Sequence, residues 1–169
     1  MKRRITKHGE PVLKKKAEPV DLGAMKKELP KLLTDMWETM YAVNGVGLAA
    51  PQVGLSLRLA VIDVKPEGKS EKLVLVNPEI VSREGDITDE EGCLSVPGLY
   101  AKVKRHQRVR VRAFDENGRP WERAGTGLLA RAFEHEVDHL DGKLFLDHLD
   151  LVQRLKVAVI LKDLKKDWD

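Results

Sequence analysis

The residues with the clearest chemistry are His-Glu-Val-Asp-His at positions 135–139. On a helix, residues four apart lie on one face, so His135 and His139 could bind one metal ion through their imidazoles. Glu136 would then lie beside the open coordination position, where a carboxylate can move protons for a water bound to the metal. The alternative is a helix with two histidines that bind no metal, because so short a pattern also occurs by chance.

A catalytic metal site of this kind needs a third protein ligand and leaves one position for water. Two common arrangements do not match. Gly142 fits the metzincin pattern, but Phe145 stands where the third His is required. A thermolysin-type site uses a later Glu, and none follows Glu136. The remaining candidates on that side are Asp residues and His148, which we expect at the surface in the loop before the last helix.

Cys93 is the only cysteine, and it lies in a Gly- and Pro-punctuated segment, residues 90–98, after two glutamates. Free cysteines are often small buried hydrophobic residues, which is the simplest alternative. A loop-like setting, however, is where reactive groups tend to be presented. A thiolate with two imidazoles would form a Cys-His-His set with one open position. We therefore hypothesise that Cys93 is the third ligand.

Residues 44–54 form a third segment of interest, Asn-Gly-Val-Gly-Leu-Ala-Ala-Pro-Gln-Val-Gly. Its glycine spacing matches neither of the common phosphate-binding loops. Small residues let a ligand approach the backbone, so a peptide could pair with exposed amides here. Gln52 offers a neutral amide donor suited to an oxyanion. A plain turn after a helix is the alternative.

Three segments in this order, residues 45–52, 91–95 and 135–142, resemble peptide deformylase, and the resemblance covers most of the chain. It implies an enzyme that removes the formyl group from the N-formylmethionine of new polypeptides and releases formate. It also implies that Cys93, His135 and His139 hold one divalent metal ion. The usual ion in the family is Fe(II), and Zn, Ni or Co can occupy the same site.

The resemblance also implies roles for further residues. The Gln52 side chain, the backbone N–H of Leu94 and the metal would stabilise the tetrahedral oxyanion. Glu136 would take a proton from water and pass it to the departing nitrogen. The substrate main chain would lie extended against Val46 and Gly47. By motif position, the candidates for the methionine pocket are Val46, Gly92, Tyr100, Leu128 and Ala132.

One residue departs from the family pattern: Glu134 stands where Gln is common. Neighbouring residues on a helix point about 100° apart, so Glu134 need not face the metal. It lies four residues from Asp138, a like-charge spacing that destabilises a helix unless a cation intervenes. We expect Arg131 to be that cation and activity to survive.

Composition is that of an ordinary compact enzyme. The chain has 169 residues, a net charge of +3, 42% hydrophobic residues and no possible internal disulfide. A length of this order fits one domain, which we place at 1–169. No nucleic-acid-binding motif, signal-peptide pattern or membrane-spanning apolar run is visible. We therefore expect a cytoplasmic protein, and we expect it to be a monomer.

The pattern of apolar residues predicts an α+β fold, with mixed or antiparallel β-sheets packed around a central metal-binding helix and with an N-terminal and a C-terminal helix. The first helix is predicted within 23–43, where Pro30 either kinks it or marks its first turn. Strands are predicted at 57–64, 73–76 and around 109–113, with a hairpin at Asn117-Gly118. The metal-binding helix is predicted to follow Thr126 as its cap and to end at Asp141-Gly142.

The last helix is predicted from about 151 to 165. Its apolar residues would lie on one side and its lysines would be more exposed; the apolar set is Leu151, Leu155, Ala158 and Val159. Because deformylation acts on nascent chains, Lys162, Lys165 and Lys166 suggest a contact with ribosomal RNA. The alternative is an ordinary solvated charged face.

Two other functions remain open at this point. One is a metallopeptidase with an unusual third ligand, and the other is a noncatalytic metal- or peptide-binding module. Glu136 and Gln52 count against the second, since metal binding alone needs neither residue.

Overall fold

The computed structural model describes residues 1–168, with three α-helices and seven β-strands. The helices are α1 (Leu29–Ala42), α2 (Gly127–Leu140) and α3 (Leu151–Leu164). The strands are β1 (Gly47–Ala49), β2 (Leu59–Ile62), β3 (Leu73–Glu84), β4 (Ile87–Gly92), β5 (Tyr100–Arg105), β6 (Arg108–Phe114) and β7 (Pro120–Thr126). The α+β fold class is therefore confirmed.

The larger sheet has five antiparallel strands in the order β1-β2-β3-β6-β7. Helix α2 packs on one face and helix α1 on the other, so strand β2 is buried on both sides. Ala60 and Ile62 contribute to the core beneath α2, while Leu59 and Val61 contribute to the core beneath α1. This arrangement makes α2 a central element.

Strands β4 and β5 form a separate antiparallel hairpin. It packs with α3 and the short turn Phe145–His148 around a third apolar cluster. Because β4 ends at Gly92, Cys93 is the first residue beyond it. The hairpin thus carries Cys93 to the side of the molecule where α2 presents its histidines.

Helix α1 begins later than predicted. Residues 23–28 are turns, and Pro30 lies in the first turn of the helix. A proline costs little at that position because its missing N–H would have no intrahelical partner. The first-turn interpretation of Pro30 is confirmed, and the kink is not observed.

Strand β3 runs past Asn77-Pro78, where the sequence predicted its end. Asn77 has a positive φ of 50°, and the pairing with β6 shifts register between Val76 and Glu79. An extra residue of this kind is a β-bulge, which bends a strand without ending it. The prediction failed because it treated a bulge as a break.

The ends of the other predicted elements agree more closely. The β6–β7 hairpin turns at Asn117-Gly118, and α2 ends at Asp141-Gly142 with Gly142 at a φ of 74°. Thr126 occupies the cap position of α2, but its side chain makes no capping hydrogen bond.

The predicted orientation of α3 is wrong. Val157 and Leu161 are its buried residues, whereas Leu151, Leu155 and Val159 are 72%, 63% and 69% exposed. The helix packs on the small hairpin through a narrow stripe, so the apolar face suggested by the sequence lies mainly in solvent. Across residues 1–168, none of the helices combines the length and apolar character needed to cross a bilayer.

Candidate active site

Helix α2 presents His135 and Glu136 to the cleft between the two sheets, and His139 is buried just behind them. The two imidazole rings are one helical turn apart, with centroids separated by 5.0 Å. The helix can hold polar side chains here because its other face is anchored in the core by Phe133, Val137 and Leu140. The predicted pairing of the two histidines on one helical face is confirmed.

Cys93 approaches this pair from the end of β4. Its Sγ lies 3.3 Å from Nε2 of His139, and the ligand atoms of Cys93, His135 and His139 all lie within 4.8 Å of one another. Around a tetrahedral divalent ion, S and N ligands are about 3.3–3.6 Å apart, from bond lengths of about 2.3 and 2.0–2.1 Å. The Cys93–His139 separation falls in this range, so the three side chains would suit one ion of this coordination.

The charge distribution also suits a cation. Burial disfavours the Cys93 thiolate, but the nearby imidazoles of His139 and His135 outweigh this and lower the pKa of the thiol well below its ordinary value. A thiolate is the form that binds metals. Nδ1 of His139 is buried and has no hydrogen-bond partner within residues 1–168, so this ring is placed by packing and by its Nε2 contact.

His135 is oriented by Glu91, the penultimate residue of β4. Glu91 Oε2 lies 2.8 Å from Nδ1 of His135, which leaves the other ring nitrogen for a metal. Arg105 donates two hydrogen bonds to Glu91, at 3.0 and 2.7 Å, and Arg131 donates a third at 2.9 Å. Burial raises the pKa of Glu91, but the hydrogen bonds from His135 and Arg105 lower it overall, so the group is a carboxylate. Such partners fix the ring position and the tautomer of a metal ligand.

The network continues outward through Asp138. Arg105 donates to its carboxylate at 2.7 Å, and His148 Nε2 lies 2.7 Å from the same oxygen. His148 is exposed in the turn before α3, as expected, and its imidazole also takes part in this network. The expectation for Arg131 is wrong: it points to Glu91 and to backbone carbonyls, and not between the two acidic residues of α2.

Glu134 points away from the candidate metal ligands, as expected. Its carboxylate accepts from the backbone N–H of His106 at 2.8 Å and lies 3.0 Å from the same residue's Nδ1, and Arg83 approaches it at 3.5 Å. Glu134 therefore joins α2 to the turn between β5 and β6. Arg83 approaches Glu134 and Arg105 pairs with Asp138, so the repulsion between these two carboxylates is reduced.

Glu136 is buried, with 3% of its surface exposed, and its Oε2 has no partner within residues 1–168. Burial raises the pKa of Glu136, although the two neighbouring histidines oppose this. A Cβ at position 47 would lie 2.4 Å from Oε1 of Glu136, so any residue other than glycine would displace this carboxylate. The carboxylate is thus held against the backbone of β1 at the inner end of the cleft.

Gln52 is fixed in one orientation by the backbone. The N–H of Ala49 donates to its Oε1 at 2.9 Å, so the amide nitrogen must point the other way. That nitrogen donates to Ser95 Oγ at 3.2 Å and lies 3.6 Å from Cys93 Sγ. Gln52 therefore directs a neutral donor at the proposed metal centre.

The cleft has a volume of about 630 Å³ and joins the metal-ligand cluster to the surface. All the residues predicted to contact substrate line it, at very different depths. Gly47 is buried, whereas Tyr100 is 66% and Leu128 52% exposed. They are Val46, Gly47, Gly92, Tyr100, Leu128 and Ala132, and Leu94 lines the same cleft.

Glu91, Arg105, Asp138 and Ser95 were not identified as site residues from the sequence. Glu91 lies two residues before Cys93, within a recognised segment, and that proximity was the available signal. Nothing local marks Arg105, since it meets Glu91 only through the pairing of β4 with β5.

Comparisons with known proteins agree with this geometry. The family model described as polypeptide deformylase matches residues 2–155. The peptide deformylase of Endomicrobium trichonymphae is 47% identical over 169 residues, with 99% of each chain covered. A crystal structure of a peptide deformylase from Legionella pneumophila superposes with a TM-score of 0.90 at 47% identity, covering 98% of this chain and 96% of that one. A crystal structure of a peptide deformylase from Synechococcus elongatus in complex with actinonin superposes with a TM-score of 0.86 at 42% identity, covering 94% of this chain and 86% of that one. The chain belongs to the polypeptide deformylase family.

Proposed function

We infer that this hydrolase, which removes the formyl group from the N-terminal formylmethionine of newly synthesised polypeptides, does so at the inner end of the cleft. One observation carries the assignment. The ligand atoms of Cys93, His135 and His139 cluster within 4.8 Å beside the buried carboxylate of Glu136, whose Oε2 has no hydrogen-bond partner among residues 1–168. Bond cleavage by water needs both an activating ion and a proton carrier, and this is where the chain offers both.

We propose Cys93, His135 and His139 as the metal ligands. A divalent ion held by these residues would act as a Lewis acid, an effect that can lower the pKa of a water from 15.7 to about 7. Thiolate and imidazole donors favour transition metals over magnesium or calcium. Fe(II) is the proposed resident ion, as the family resemblance implies, and Zn, Ni or Co are proposed as substitutes in the purified protein.

Glu136 is proposed as the proton carrier. It takes a proton from the attacking water while the water oxygen bonds to the formyl carbon. The same proton then passes to the amide nitrogen, the carbon–nitrogen bond breaks, and formate and a free amine are released. One carboxylate serves both steps because the nitrogen must be protonated before it leaves. The raised pKa of Glu136 brings it closer to the working pH, which favours this exchange.

Gln52 and Leu94 are proposed to stabilise the oxyanion formed on attack. The Gln52 amide nitrogen points to the metal-ligand cluster. The backbone N–H of Leu94 donates to no acceptor within the described part of the chain, so it is available to a substrate. Loss of one such donor typically raises the barrier by about 2.7–4 kcal/mol.

The substrate main chain is proposed to pair with β1. This strand is the edge of the large sheet and pairs with β2 on one side, so its other side can accept an extended peptide. Val46 and Gly47 would supply the backbone contacts. The methionine side chain would occupy the cleft among Val46, Gly92, Tyr100, Leu128 and Ala132.

The decisive assay is formate release under anaerobic conditions, because a ferrous thiolate site is open to oxidation. The protein should release formate from a formyl-Met peptide. A metallopeptidase would instead cleave internal bonds in formylated and unformylated peptides alike, and a binding module would turn over neither. Metal analysis of Cys93→Ser tests the ligand set, since wild-type metal content in this variant would remove Cys93 from it.

We propose that residues 1–169 form a single catalytic domain that acts as a monomer in the cytoplasm, where nascent chains carry the formyl group. Sedimentation analysis tests the monomer, and the exposed apolar side chains of α3 are where self-association would arise.

We also propose a contact between the ribosome surface and Lys162, Lys165 and Lys166. These side chains are exposed near the end of α3, although Lys166 also pairs with Asp163 at 2.9 Å. Co-sedimentation with ribosomes at low salt tests it. Equal binding by a variant that lacks the three charges would leave only a solvated charged face.

A further inference from the structure

A second groove, with a volume of about 480 Å³, adjoins the cleft. The segment 44–46 lines both, so the groove begins where the outer part of the cleft ends. Its remaining walls come from α1 and from the loop between β2 and β3, and they are Tyr41, Asp63, Val64, Lys65, Ser70 and Lys72. None of these residues takes part in the chemistry proposed above.

Asp63 builds the loop that carries the two lysines. It is 1% exposed, and its carboxylate accepts from the hydroxyls of Tyr41 and Ser70, both at 2.6 Å, and from the backbone N–H of Glu71 at 2.9 Å. Burial opposes the charge on Asp63, but these hydrogen bonds lower its pKa to about 2. The Asp63 carboxylate therefore fixes the loop to α1 and to the end of β2.

Both lysines lie over an aromatic platform. Trp37 and Tyr41 stack on α1 with centroids 5.9 Å apart. Lys65 Nζ is 4.9 Å from the Tyr41 ring centre, and Lys72 Nζ is 5.2 Å from that of Trp37. Such contacts hold an ammonium group in place without neutralising it.

The acidic residues around the groove leave those charges available. Asp63 is engaged by the loop, and the Glu71 carboxylate pairs with Arg123. Glu67 is exposed and does not line the groove. Within residues 1–168, neither Lys65 nor Lys72 forms an ion pair. The groove therefore presents two positive groups to solvent.

The path of the substrate leads toward this groove. The formyl group must lie near Glu136, which contacts Gly47. The substrate chain cannot continue from Gly47 toward Ala49, because Ala49 and Gln52 are buried. The chain must leave over the exposed Val46 and Asn44. An extended strand advances about 3.3 Å per residue, so roughly three residues reach Asn44.

We propose that this groove is a subsite for acidic side chains at the third to fifth residues of the formylated polypeptide, recognised by Lys65 and Lys72. The proposal rests on the proposed placement of the substrate along β1. It makes the enzyme selective among nascent chains by charge, at positions beyond the formylmethionine.

The test compares formyl-Met-Ala peptides that carry Glu, Gln or Lys at positions three to five. For wild type at low salt, we expect kcat/KM for Glu peptides to exceed that for Lys peptides by about three- to tenfold, the scale expected of two exposed ion pairs. High salt should reduce the preference because exposed charges are screened. Lys65→Glu combined with Lys72→Glu should invert the Glu-to-Lys ratio.

Lys69→Glu is the matched control, since Lys69 lies in the same loop, is exposed and does not line the groove. It should keep the wild-type ratio. A wild-type ratio near one, or an equal change of ratio in Lys69→Glu, would overturn the subsite. Wild-type turnover of a neutral formyl-Met-Ala-Ser peptide is measured first, because absence of formate there contradicts the proposed function and not the subsite alone.

Discussion

Helices α2 and α3 each contain 14 residues and have apolar residues at helical spacing, yet their surroundings differ. Ten residues of α2 are buried, including Glu134, Glu136 and His139, whereas two residues of α3 are buried. The large sheet covers α2, whereas α3 packs against the small hairpin, the loop that joins its strands and the turn that precedes the helix. Apolar spacing therefore indicates that a helix forms, while the position of the helix relative to the sheets decides how much of it is buried. We expect substitutions on α2 to affect activity and stability far more than those on α3.

The largest difference should appear in activity. Glu136→Gln keeps the side-chain shape but removes the proton carrier, so kcat for formate release should fall by about 10²- to 10⁴-fold. Metal content should be retained because Glu136 is not a proposed ligand. Asp163→Asn on α3 removes an exposed carboxylate and should leave kcat unchanged. Near-normal kcat in Glu136→Gln would show that another group carries the proton.

Stability should separate the helices next. Phe133 is fully buried between α2 and the sheet, so Phe133→Ala should lower the free energy of unfolding by about 3–5 kcal/mol. Leu155 on α3 is 63% exposed, so Leu155→Ala should change the free energy of unfolding by less than about 0.5 kcal/mol. Urea unfolding measures both. A comparable loss in the two variants would mean that α3 is covered in solution, for example by self-association.

The network that joins α2 to β5 and to the turn before α3 should depend on pH. Burial raises the pKa of Asp138, but His148 and Arg105 outweigh it and lower the pKa overall. The folded-state pKa is thus below the unfolded one, so the stabilisation is full above the ordinary Asp pKa of about 3.9. It is lost as the pH falls through the lowered value. Asp138→Asn should cost about 1.5–3 kcal/mol at neutral pH in the metal-free protein.

The check is to measure the free energy of unfolding of Asp138→Asn and of wild type at several pH values. The difference between the two proteins should shrink in acid. Asp141→Asn, which removes a more exposed partner of Arg58, is the control and should show a smaller loss. A difference that grows in acid would contradict the direction given for Asp138.

The smallest effect is expected at the start of α3. Asp150 accepts from the N–H of Gln153 at 2.8 Å, and the N–H of Asp150 donates to Oε1 of Gln153 at 3.2 Å. Asp150→Ala should cost about 1 kcal/mol, a typical value for a lost cap. Hydrogen exchange should increase in the first turn of α3 while formate release stays unchanged. Loss of activity would show that α3 supports the cleft more directly than its contacts suggest.

Much of the candidate metal site could be predicted from the sequence because its signals are local. His135, Glu136 and His139 lie within one helical turn, and their relation follows from helix geometry alone. Cys93 needed the three ordered segments, because its approach to α2 depends on how the hairpin packs. The fold class followed from the apolar pattern, as did the hairpin at Asn117-Gly118 and the end of α2.

The remaining features depend on long-range packing. Arg105 reaches Glu91 and Asp138 only when β5 pairs with β4 and both lie against α2. Sequence spacing on one helix therefore suggested the wrong partner for Arg131. The exposure of Leu151 and Leu155 likewise depends on how little structure covers α3. The bulge at Asn77 was missed because Asn-Pro is also a common way to end a strand.

The most direct test of the account is X-ray absorption at the metal edge, on protein purified without oxygen. We predict one sulfur ligand and two imidazole nitrogens, with distances near 2.3 and 2.0–2.1 Å if zinc is bound. The sulfur contribution should disappear in Cys93→Ser. A fully occupied metal with no sulfur ligand in the wild-type protein would contradict the proposed centre formed by Cys93, His135 and His139.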